Sequence, residues 1–228
     1  MKAIVLAGGF GKRLKPLTDT IPKPMLPIKG KPILLWQMEW LRSQGINEFV
    51  LCVGYLKEAV RDYFGDGSRF GVRVDYVYED EPLGTGGALN RAREHFPAKD
   101  LFFAFNGDIV SDINLSDIHQ RCEEANATGA LALVQLPSPF GIVTTTSDDQ
   151  IESFVEKPRL ADHWVNAGIY CFDPSIADYL PEIGSVETDV FPILASEGKL
   201  VASKHSNCYW KSVDSMKDLE EAAMLLKA

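Results

Sequence analysis

The sequence predicts a single α/β domain of three layers, in which helices cover both faces of a mostly parallel mixed sheet. In the first half, uninterrupted apolar runs alternate with segments of helical periodicity. Strands that are apolar on both faces are typical of parallel sheets buried between layers of helices. In the second half, short strand patterns follow one another with short connections. They indicate a small mixed-sheet subregion within the same domain.

The elements of the first half alternate in type. An apolar run at 2–7 ends in glycines and predicts the first buried strand, and a long loop rich in Gly, Lys and Pro follows it. A helix is predicted from 32 to about 44, because Pro32 is tolerated in a first turn. The other elements predicted in this half are a buried strand at 48–53, an amphipathic helix at 56–64, an alternating strand at 72–78, a helix at 88–95 and an apolar strand at 101–105.

The second half is predicted to hold strands at 130–136, 141–145, 151–155 and 167–172, helices at 175–180 and 188–197, a strand at 200–204 and a helix at 215–226. We find no internal repeat, low-complexity tract or long linker. No hexapeptide repeat follows the last helix, so we expect no C-terminal β-helix. One domain over 1–228 is the simplest prediction.

Composition excludes several classes of function. A net charge of -9 argues against general nucleic-acid binding, which needs a basic face. No run approaches the ~20 apolar residues of a membrane span, and we expect a cytoplasmic protein without membrane contact. The four cysteines contain no C-x-x-C pair and the histidines lack metal-ligand spacing, so we expect reduced, mostly buried thiols. A local basic cluster still allows small phosphorylated ligands; it comprises Lys12, Arg13, Lys15, Lys23 and Lys31.

The glycine-rich segment after the first strand is the strongest chemical signal. It reads Leu-Ala-Gly-Gly-Phe-Gly-Lys-Arg-Leu over 6–14, so backbone N–H groups and two cations follow a buried strand. It is not a G-x-x-x-x-G-K-[ST] loop, because Arg13 follows Lys12. It is not G-x-G-x-x-G either, because Leu14 replaces the third glycine. The missing glycine, and the lack of a convincing acid about 20 residues later, argue against a nucleotide-dependent oxidoreductase.

Together with other motifs, this segment resembles the signature of the sugar-1-phosphate nucleotidyltransferases. L-A-G-G-x-G-x-R-L is followed by Pro-Lys-Pro at 22–24, and further similarities run in order along almost the whole chain. They are Glu-Pro-Leu-Gly-Thr-Gly-Gly at 81–87, Asn-Gly-Asp at 106–108, Phe-Gly-Ile-Val at 140–143, Val-Glu-Lys-Pro at 155–158 and Asn-Ala-Gly at 166–168. The resemblance implies a Rossmann-like, glycosyltransferase-A-like fold and transfer of a nucleoside monophosphate from an NTP to a sugar 1-phosphate.

The resemblance also implies roles for single residues. Arg13 suits the triphosphate and the leaving pyrophosphate, because its planar fork matches phosphate oxygens, and Lys23 suits the α-phosphate as a point charge. With Asp108, these are the expected catalytic residues. The resemblance divides the domain into an NTP-binding half at about 1–110 and a sugar-phosphate-binding half at about 111–228. The expected nucleotide-binding residues are Leu6, Ala7, Gly8, Gly9, Gly11, Lys12, Arg13, Lys23, Glu81, Pro82, Gly84, Thr85, Gly86 and Asn106.

Sugar-phosphate contacts are expected from Gly141, Glu156, Lys157 and Asn166. Glu156 is the implied acceptor for sugar hydroxyls, and Lys157 is the implied partner of the sugar phosphate. Considered alone, the Glu-Lys pair also fits a solvated ion pair.

Mg²⁺ is the expected cofactor, with Asp108 and Asp214 as its ligands. The family carries an aspartate two residues after a tryptophan, in W-x-D-x-G, whereas Ser212 stands at that place after Trp210. Some cytidylyltransferase relatives have a comparable W-x-x-x-D pattern, which makes Asp214 the ligand in a shifted register. The alternative is that Asp214 is the N-cap of the last helix, and the two roles can coexist.

Several segments favour mannose-1-phosphate guanylyltransferases, among them the run Ser-Val-Glu-Thr-Asp-Val-Phe-Pro at 185–192. That run also fits an ordinary capped helix. From the resemblance, the expected substrates are GTP and mannose 1-phosphate. Uridylyl-, thymidylyl- or cytidylyl transfer to another sugar phosphate, and a catalytically silent nucleotide-sensing homologue, stay open as alternatives. The sequence leaves the oligomeric state open, a homodimer included.

Overall fold

The computed structural model of the protein describes residues 1–160 and 163–226. Its strands are β1 (Lys2–Leu6), β2 (Pro27–Ile28), β3 (Lys31–Pro32), β4 (Glu48–Val53), β5 (Arg73–Tyr78), β6 (Phe102–Asn106), β7 (Ile109–Ser111), β8 (Gly129–Val134), β9 (Ile142–Thr145), β10 (Ile151–Val155), β11 (Val165–Phe172), β12 (Leu200–His205) and β13 (Trp210–Ser212). Its α-helices are α1 (Ile33–Ser43), α2 (Lys57–Phe64), α3 (Gly84–Arg91), α4 (Leu115–Glu124), α5 (Phe191–Ser196) and α6 (Met216–Leu225). None of these helices has the length and apolar character that a membrane span requires.

Seven strands form the central sheet, in the order β12-β8-β11-β6-β1-β4-β5. β1 pairs in parallel with β4 and β6, and the pairs β4–β5 and β8–β12 are parallel as well. β11 lies antiparallel between β6 and β8, so its direction is reversed relative to both neighbours. The predicted mostly parallel mixed sheet is therefore confirmed.

Helices cover both faces of the sheet, because successive side chains of the central strands point to opposite faces and both sets are apolar. Ala3 and Val5 of β1 pack in a cluster with residues of α1, α2 and α4. Ile4 points to the other face and packs in a cluster with residues of α3 and α5. A third cluster joins α6 to the start of α1 and to β2. These layers confirm the three-layer α/β prediction.

The helix α4 is absent from the elements predicted above. It begins after Asn114, whose side chain accepts a hydrogen bond from the Ser116 amide. Leu115, Ile118 and Cys122 are buried, at the spacing of one helical face. An N-cap followed by this spacing is sufficient to predict a helix from the sequence.

Two predicted helices are not continuous α-helices, and the elements found in their places contain a proline. The segment predicted as a helix at 175–180 is a 3₁₀ turn, Pro174–Asp178. The helix predicted at 188–197 is divided into a π-helical turn, Val186–Val190, and the short α5. Pro192 has no N–H to donate to the preceding turn, so a regular ladder of hydrogen bonds cannot pass through it.

The helix predicted at 88–95 begins earlier, because its glycines allow close packing. α3 starts at Gly84 and ends at Arg91, and a 3₁₀ turn, Arg93–His95, follows it. A Cβ on Gly87 would lie 2.5 Å from the carbonyl oxygen of Glu182, and the amide of Gly86 donates to the carbonyl of Gly184 at 2.9 Å. α3 thus packs directly against backbone of the segment before the π-helical turn.

We predict that Gly84→Ala lowers the free energy of unfolding by about 3 kcal/mol. Gly84 has a φ of +74°, and a Cβ there would overlap the backbone oxygen of Gly184. The matched control is Gly45→Ala, because Gly45 has a φ of +84° and open space around its Cβ position. Only the backbone strain applies there, and we expect a loss of about 1 kcal/mol. Equal losses by chemical denaturation would show that the contact with Gly184 does not matter.

Candidate active site

The glycine segment lies where β1 ends, at the carboxyl edge of the parallel strands. The amide of Ala7 donates to the carbonyl of Cys52 at 2.8 Å, and the backbone then leaves the sheet. Gly11 has a φ of +60°, and a Cβ there would lie 2.9 Å from the side chain of Thr18. Glycine at this position therefore allows a tight turn just before Lys12 and Arg13, with Thr18 packed against it.

β6 ends beside this loop, which places Asp108 at the switch point of the sheet. Leu6 is paired with Asn106, and the amide of Gly107 donates to the carbonyl of Leu6 at 2.9 Å. From β1 the chain first builds outward through β4 and β5 and then crosses to β6 on the other side. Crevices at such switch points are the usual ligand sites of open α/β sheets.

A two-stranded ribbon brings Asp214 to Asp108. β7 follows Asp108 directly and pairs antiparallel with β13, with Ser212 opposite Ile109. The amide of Val213 donates to the carbonyl of Asp108 at 2.9 Å. The two carboxylates are distant in sequence, but the ribbon places them side by side.

Lys23 lies between these two carboxylates. Its Nζ donates to Asp214 Oδ1 at 2.5 Å and also to Asp108 Oδ2. The guanidinium of Arg13 donates to the same Asp214 oxygen at 2.8 Å, and 76% of its side chain is exposed. Arg13 is therefore able to turn toward a ligand, whereas Lys23 is largely enclosed.

Asp214 does not cap α6, so the alternative role for this residue is wrong. Ser215 is the N-cap, and its side chain accepts from the amide of Asp218. The Asp214 carboxylate faces Lys23 and also accepts a hydrogen bond from Ser212 Oγ at 3.1 Å. Burial raises the pKa of Asp214, but the hydrogen bond and charge of Lys23, with Ser212 and Arg13, outweigh burial and lower this pKa below its ordinary value.

We predict that Asp214→Asn lowers the free energy of unfolding by about 1 kcal/mol at neutral pH, because Lys23 and Arg13 lose a charged acceptor. A carboxyl whose folded pKa is depressed stabilises the fold above its unfolded pKa, and this contribution disappears as the pH falls through the folded pKa. The difference between the two proteins should therefore shrink below about pH 4. Urea titrations at about pH 7 and about pH 3 measure it. A difference that does not change with pH would contradict the ion pairs.

Glu79 adds a third carboxylate to the crevice, and it is not among the residues expected from the sequence. Its amide continues the pairing of β5 by donating to Val53 at 2.8 Å, so its side chain points inward beside Gly8. The pKa of Glu79 is raised by burial, against a hydrogen bond from the Leu83 amide and the charge of Arg91. Glu81, the expected residue of this segment, is exposed.

These elements enclose a cleft of about 420 Å³. It brings together most of the residues that the resemblance assigns to the nucleotide, and all three expected catalytic residues. The expected residues that line it are Leu6, Ala7, Gly8, Gly9, Gly11, Lys12, Arg13, Lys23, Pro82, Gly84, Thr85, Asn106, Asp108 and Asp214. Glu81 and Gly86 do not line it, and Gly86 is buried against Pro181.

The residues expected to bind the sugar phosphate lie outside this cleft. Asn166 lies opposite Leu133 of β8, and its Oδ1 accepts from the amide of Gly168. A Cβ on Gly168 would lie 2.7 Å from the amide nitrogen of the Asn106 side chain. Glu156 and Lys157 follow the exposed β9–β10 ribbon and form an ion pair at 3.7 Å. Gly141 precedes that ribbon, and a Cβ there would lie 3.0 Å from Glu156 Oε2.

The residues present can hold a divalent cation only together with ligand oxygens. In residues 1–160 and 163–226 no three His, Cys, Asp or Glu side chains group as a complete site. Asp108 and Asp214 offer carboxylate oxygens around one positively charged nitrogen. Mg²⁺ is commonly bound in proteins by one or two carboxylates plus waters and phosphate oxygens. The donor set fits that pattern.

Gln37 supports the strand end that carries Asp108, and its role is not evident from the sequence. It is fully buried in α1, and its Nε2 donates to the carbonyl of Asn106 at 2.9 Å. A glutamine on an otherwise apolar helix face is the only signal for it in the sequence. The contact fixes the last residue of β6.

The chain is similar to known proteins along almost its whole length. The family model described as "Nucleotidyl transferase" matches residues 2–228. The chain is 36% identical to mannose-1-phosphate guanylyltransferase catalytic subunit beta of Danio rerio and 37% identical to mannose-1-phosphate guanyltransferase of Schizosaccharomyces pombe. Each alignment covers 96% of this chain and 62% of the relative. The chain thus spans less than two thirds of the length of these relatives.

Solved structures share the fold. HddC from Yersinia pseudotuberculosis, in complex with GMP-PN, matches with a TM-score of 0.77 and 29% identity over 99% of both chains. A putative glucose-1-phosphate thymidylyltransferase from Bacillus anthracis matches with a TM-score of 0.79 over 99% of this chain and 94% of the other. The latter is 23% identical and therefore supports the fold alone.

Proposed function

The chain belongs to the nucleotidyl transferase family, and we propose that it transfers GMP from GTP to mannose 1-phosphate and releases pyrophosphate. The observation that carries the proposal is the arrangement of Lys23 and Arg13 against Asp108 and Asp214 under the glycine loop. The names of the relatives and the GMP-PN bound to HddC support guanine and mannose as the substrate groups.

The reaction joins two anions, so positioning and charge compensation are its main requirements. An oxygen of the sugar phosphate attacks the α-phosphorus of GTP. The bond from that phosphorus to the oxygen bridging the α- and β-phosphates breaks, and the electron pair leaves with pyrophosphate. Lys23 compensates charge on the α-phosphate. Arg13, which is mostly exposed, turns to the β- and γ-phosphates and the leaving pyrophosphate.

Asp108 and Asp214 would hold Mg²⁺ together with phosphate oxygens. When bound, the ion supplies positive charge that orients the triphosphate and stabilises its developing negative charge. Ser212 supports Asp214 by its hydrogen bond and takes no ligand position itself. We therefore assign the second carboxylate to the shifted W-x-x-x-D register.

Glu79 is the residue that favours guanine. An ionised carboxylate only accepts hydrogen bonds, and the guanine edge offers two adjacent donors, N1–H and the N2 amino group. Uracil and thymine present one N–H between two carbonyl oxygens, which a carboxylate repels. Glu79 borders the cleft beside Gly8, so we assign base selection to it in place of Glu81.

We place the mannose 1-phosphate site beside β11. Asn166 accepts from the amide of Gly168, which packs against the side chain of Asn106, and we assign the hydroxyl contacts to Asn166. We retain Glu156, Lys157 and Gly141 as the outer contacts. We also retain the division of the domain near residue 110, with Asp214 reaching across from the second half.

The test is a panel assay with purified protein, MgCl₂, each common NTP in turn and the 1-phosphates of mannose, glucose and glucosamine. We expect pyrophosphate release with GTP and mannose 1-phosphate and none after addition of EDTA. Release with UTP, dTTP or CTP in preference to GTP would overturn the guanine assignment. Binding of GTP without release from any pair would identify a catalytically silent homologue.

A further inference from the structure

The carboxylate of Glu187 accepts hydrogen bonds from three hydroxyl groups. Its Oε2 accepts from Thr85 Oγ1 at 2.5 Å and from Ser185 Oγ at 2.6 Å, and its Oε1 accepts from the Tyr170 hydroxyl at 3.2 Å. Glu187 lies in the π-helical turn, a rare conformation that often marks functional sites. In the part of the chain that the structure describes, no Lys or Arg forms an ion pair with it.

The direction of these hydrogen bonds is fixed by the other neighbours of each hydroxyl. Thr85 Oγ1 accepts from the amide of Val186 at 3.0 Å, and Ser185 Oγ accepts from the amide of Glu187 at 3.1 Å. The Tyr170 hydroxyl accepts from Asn166 Nδ2 at 2.9 Å. A hydroxyl has a single proton, so each of the three donates that proton to Glu187. Hydrogen bonds to an ionised acceptor are stronger than neutral ones.

The network connects the two sides of the site. Thr85 lines the cleft at the start of α3, on the nucleotide side. Asn166 lies on the sugar-phosphate side, where its Oδ1 accepts from the amide of Gly168 at 2.9 Å. Glu187 holds Thr85 directly and holds Asn166 through Tyr170. One carboxylate therefore orients side chains that we assign to the binding of two different substrates.

We propose that Glu187 is a positioning residue that orients the nucleotide side and the sugar-phosphate side of the cleft together. This inference rests on the proposed function. Glu187 acts through Thr85 and Tyr170 and touches neither substrate. Its loss therefore weakens the binding of each substrate measured without the other.

The test is Glu187→Gln, studied by calorimetry with GTP alone and with mannose 1-phosphate alone. A glutamine amide group cannot accept from all three hydroxyls, and we expect both dissociation constants to rise about tenfold. Thr85→Val should weaken GTP binding, and Tyr170→Phe should weaken mannose 1-phosphate binding. The matched control is Glu182→Gln, an exposed carboxylate of the same segment, which should change neither constant.

A change in only one of the two constants, or values equal to those of the Glu182→Gln control, would overturn the proposal. Should Glu187→Gln fail to fold, the double variant Thr85→Val, Tyr170→Phe decides. The effects of two hydroxyls that share one acceptor should be coupled. The factor by which the double variant lowers kcat/KM should therefore differ from the product of the factors for the two single variants. Independent effects would refute the shared role. A wild-type chain that binds both ligands and releases no pyrophosphate would overturn the proposed function alone.

Discussion

An Asp108→Asn variant is expected to fold normally and to lose about 10³-fold in the rate of pyrophosphate release from GTP and mannose 1-phosphate. Asparagine keeps the shape of the side chain but removes the charge that pairs with Lys23 and that would hold Mg²⁺. Charge placed at the reacting phosphate is needed most in the transition state, so kcat should fall far more than KM rises.

The matched control for this prediction is Asp62→Asn. Asp62 is an exposed aspartate of α2 whose ion pair with Arg61 lies outside the cleft, and its replacement should leave turnover unchanged. The cation site is measured directly by Mn²⁺ binding in the presence of GTP, which Asp108→Asn should weaken. Turnover within about tenfold of wild type would contradict the assignment of Asp108.

Glu79→Gln is expected to lower kcat/KM for GTP about 100-fold and to leave that for UTP unchanged or higher. The glutamine amide replaces one of the two carboxylate acceptors with an NH₂ donor. Guanine then loses one hydrogen bond and has a donor facing a donor, whereas a carbonyl oxygen of uracil can accept from the new NH₂ group. Buried groups that lose a hydrogen-bond partner impose large penalties on the wrong ligand. Competition between GTP and UTP in one assay measures the ratio.

The pH dependence gives Glu79→Gln a second readout. Burial raises the pKa of Glu79, and protonation removes one of its acceptors, so KM for GTP should rise as the pH falls through that pKa. The variant should lack this rise. Glu81→Gln is the control, because that exposed carboxylate does not line the cleft. An unchanged ratio of GTP to UTP would assign base selection to other groups.

Local patterns predict the parts of this protein that depend on adjacent residues. The buried strands that end at Leu6 and Asn106 lie close to the expected positions, and the motifs indicate Arg13, Lys23 and Asp108, which lie in one cleft. The cap and the apolar spacing of α4 are also local signals, although that helix is missing from the predicted elements. Apolar runs, glycines and caps involve only neighbouring residues, which explains why these parts can be predicted.

Features that depend on distant pairing cannot be predicted in this way. The β7–β13 ribbon joins Ser111 to Trp210, and only this pairing shows that Asp214 faces Lys23 while Ser215 caps α6. Glu79 stands near other acids, and only the register of β5 against β4 turns it inward. The hydroxyls of Thr85 and Tyr170 reach Glu187 from two other segments, and no local pattern indicates that.

The most direct test of nucleotidyl transfer follows the phosphorus atoms of GTP. Reactions with mannose 1-phosphate and Mg²⁺ are run in parallel with GTP labelled at the α- or the γ-phosphate, and the products are separated by chromatography. We predict that the α-label enters a sugar nucleotide and that the γ-label leaves as pyrophosphate, in equal amounts. Release of the γ-label as orthophosphate, or an α-label that never joins the sugar, would contradict nucleotidyl transfer.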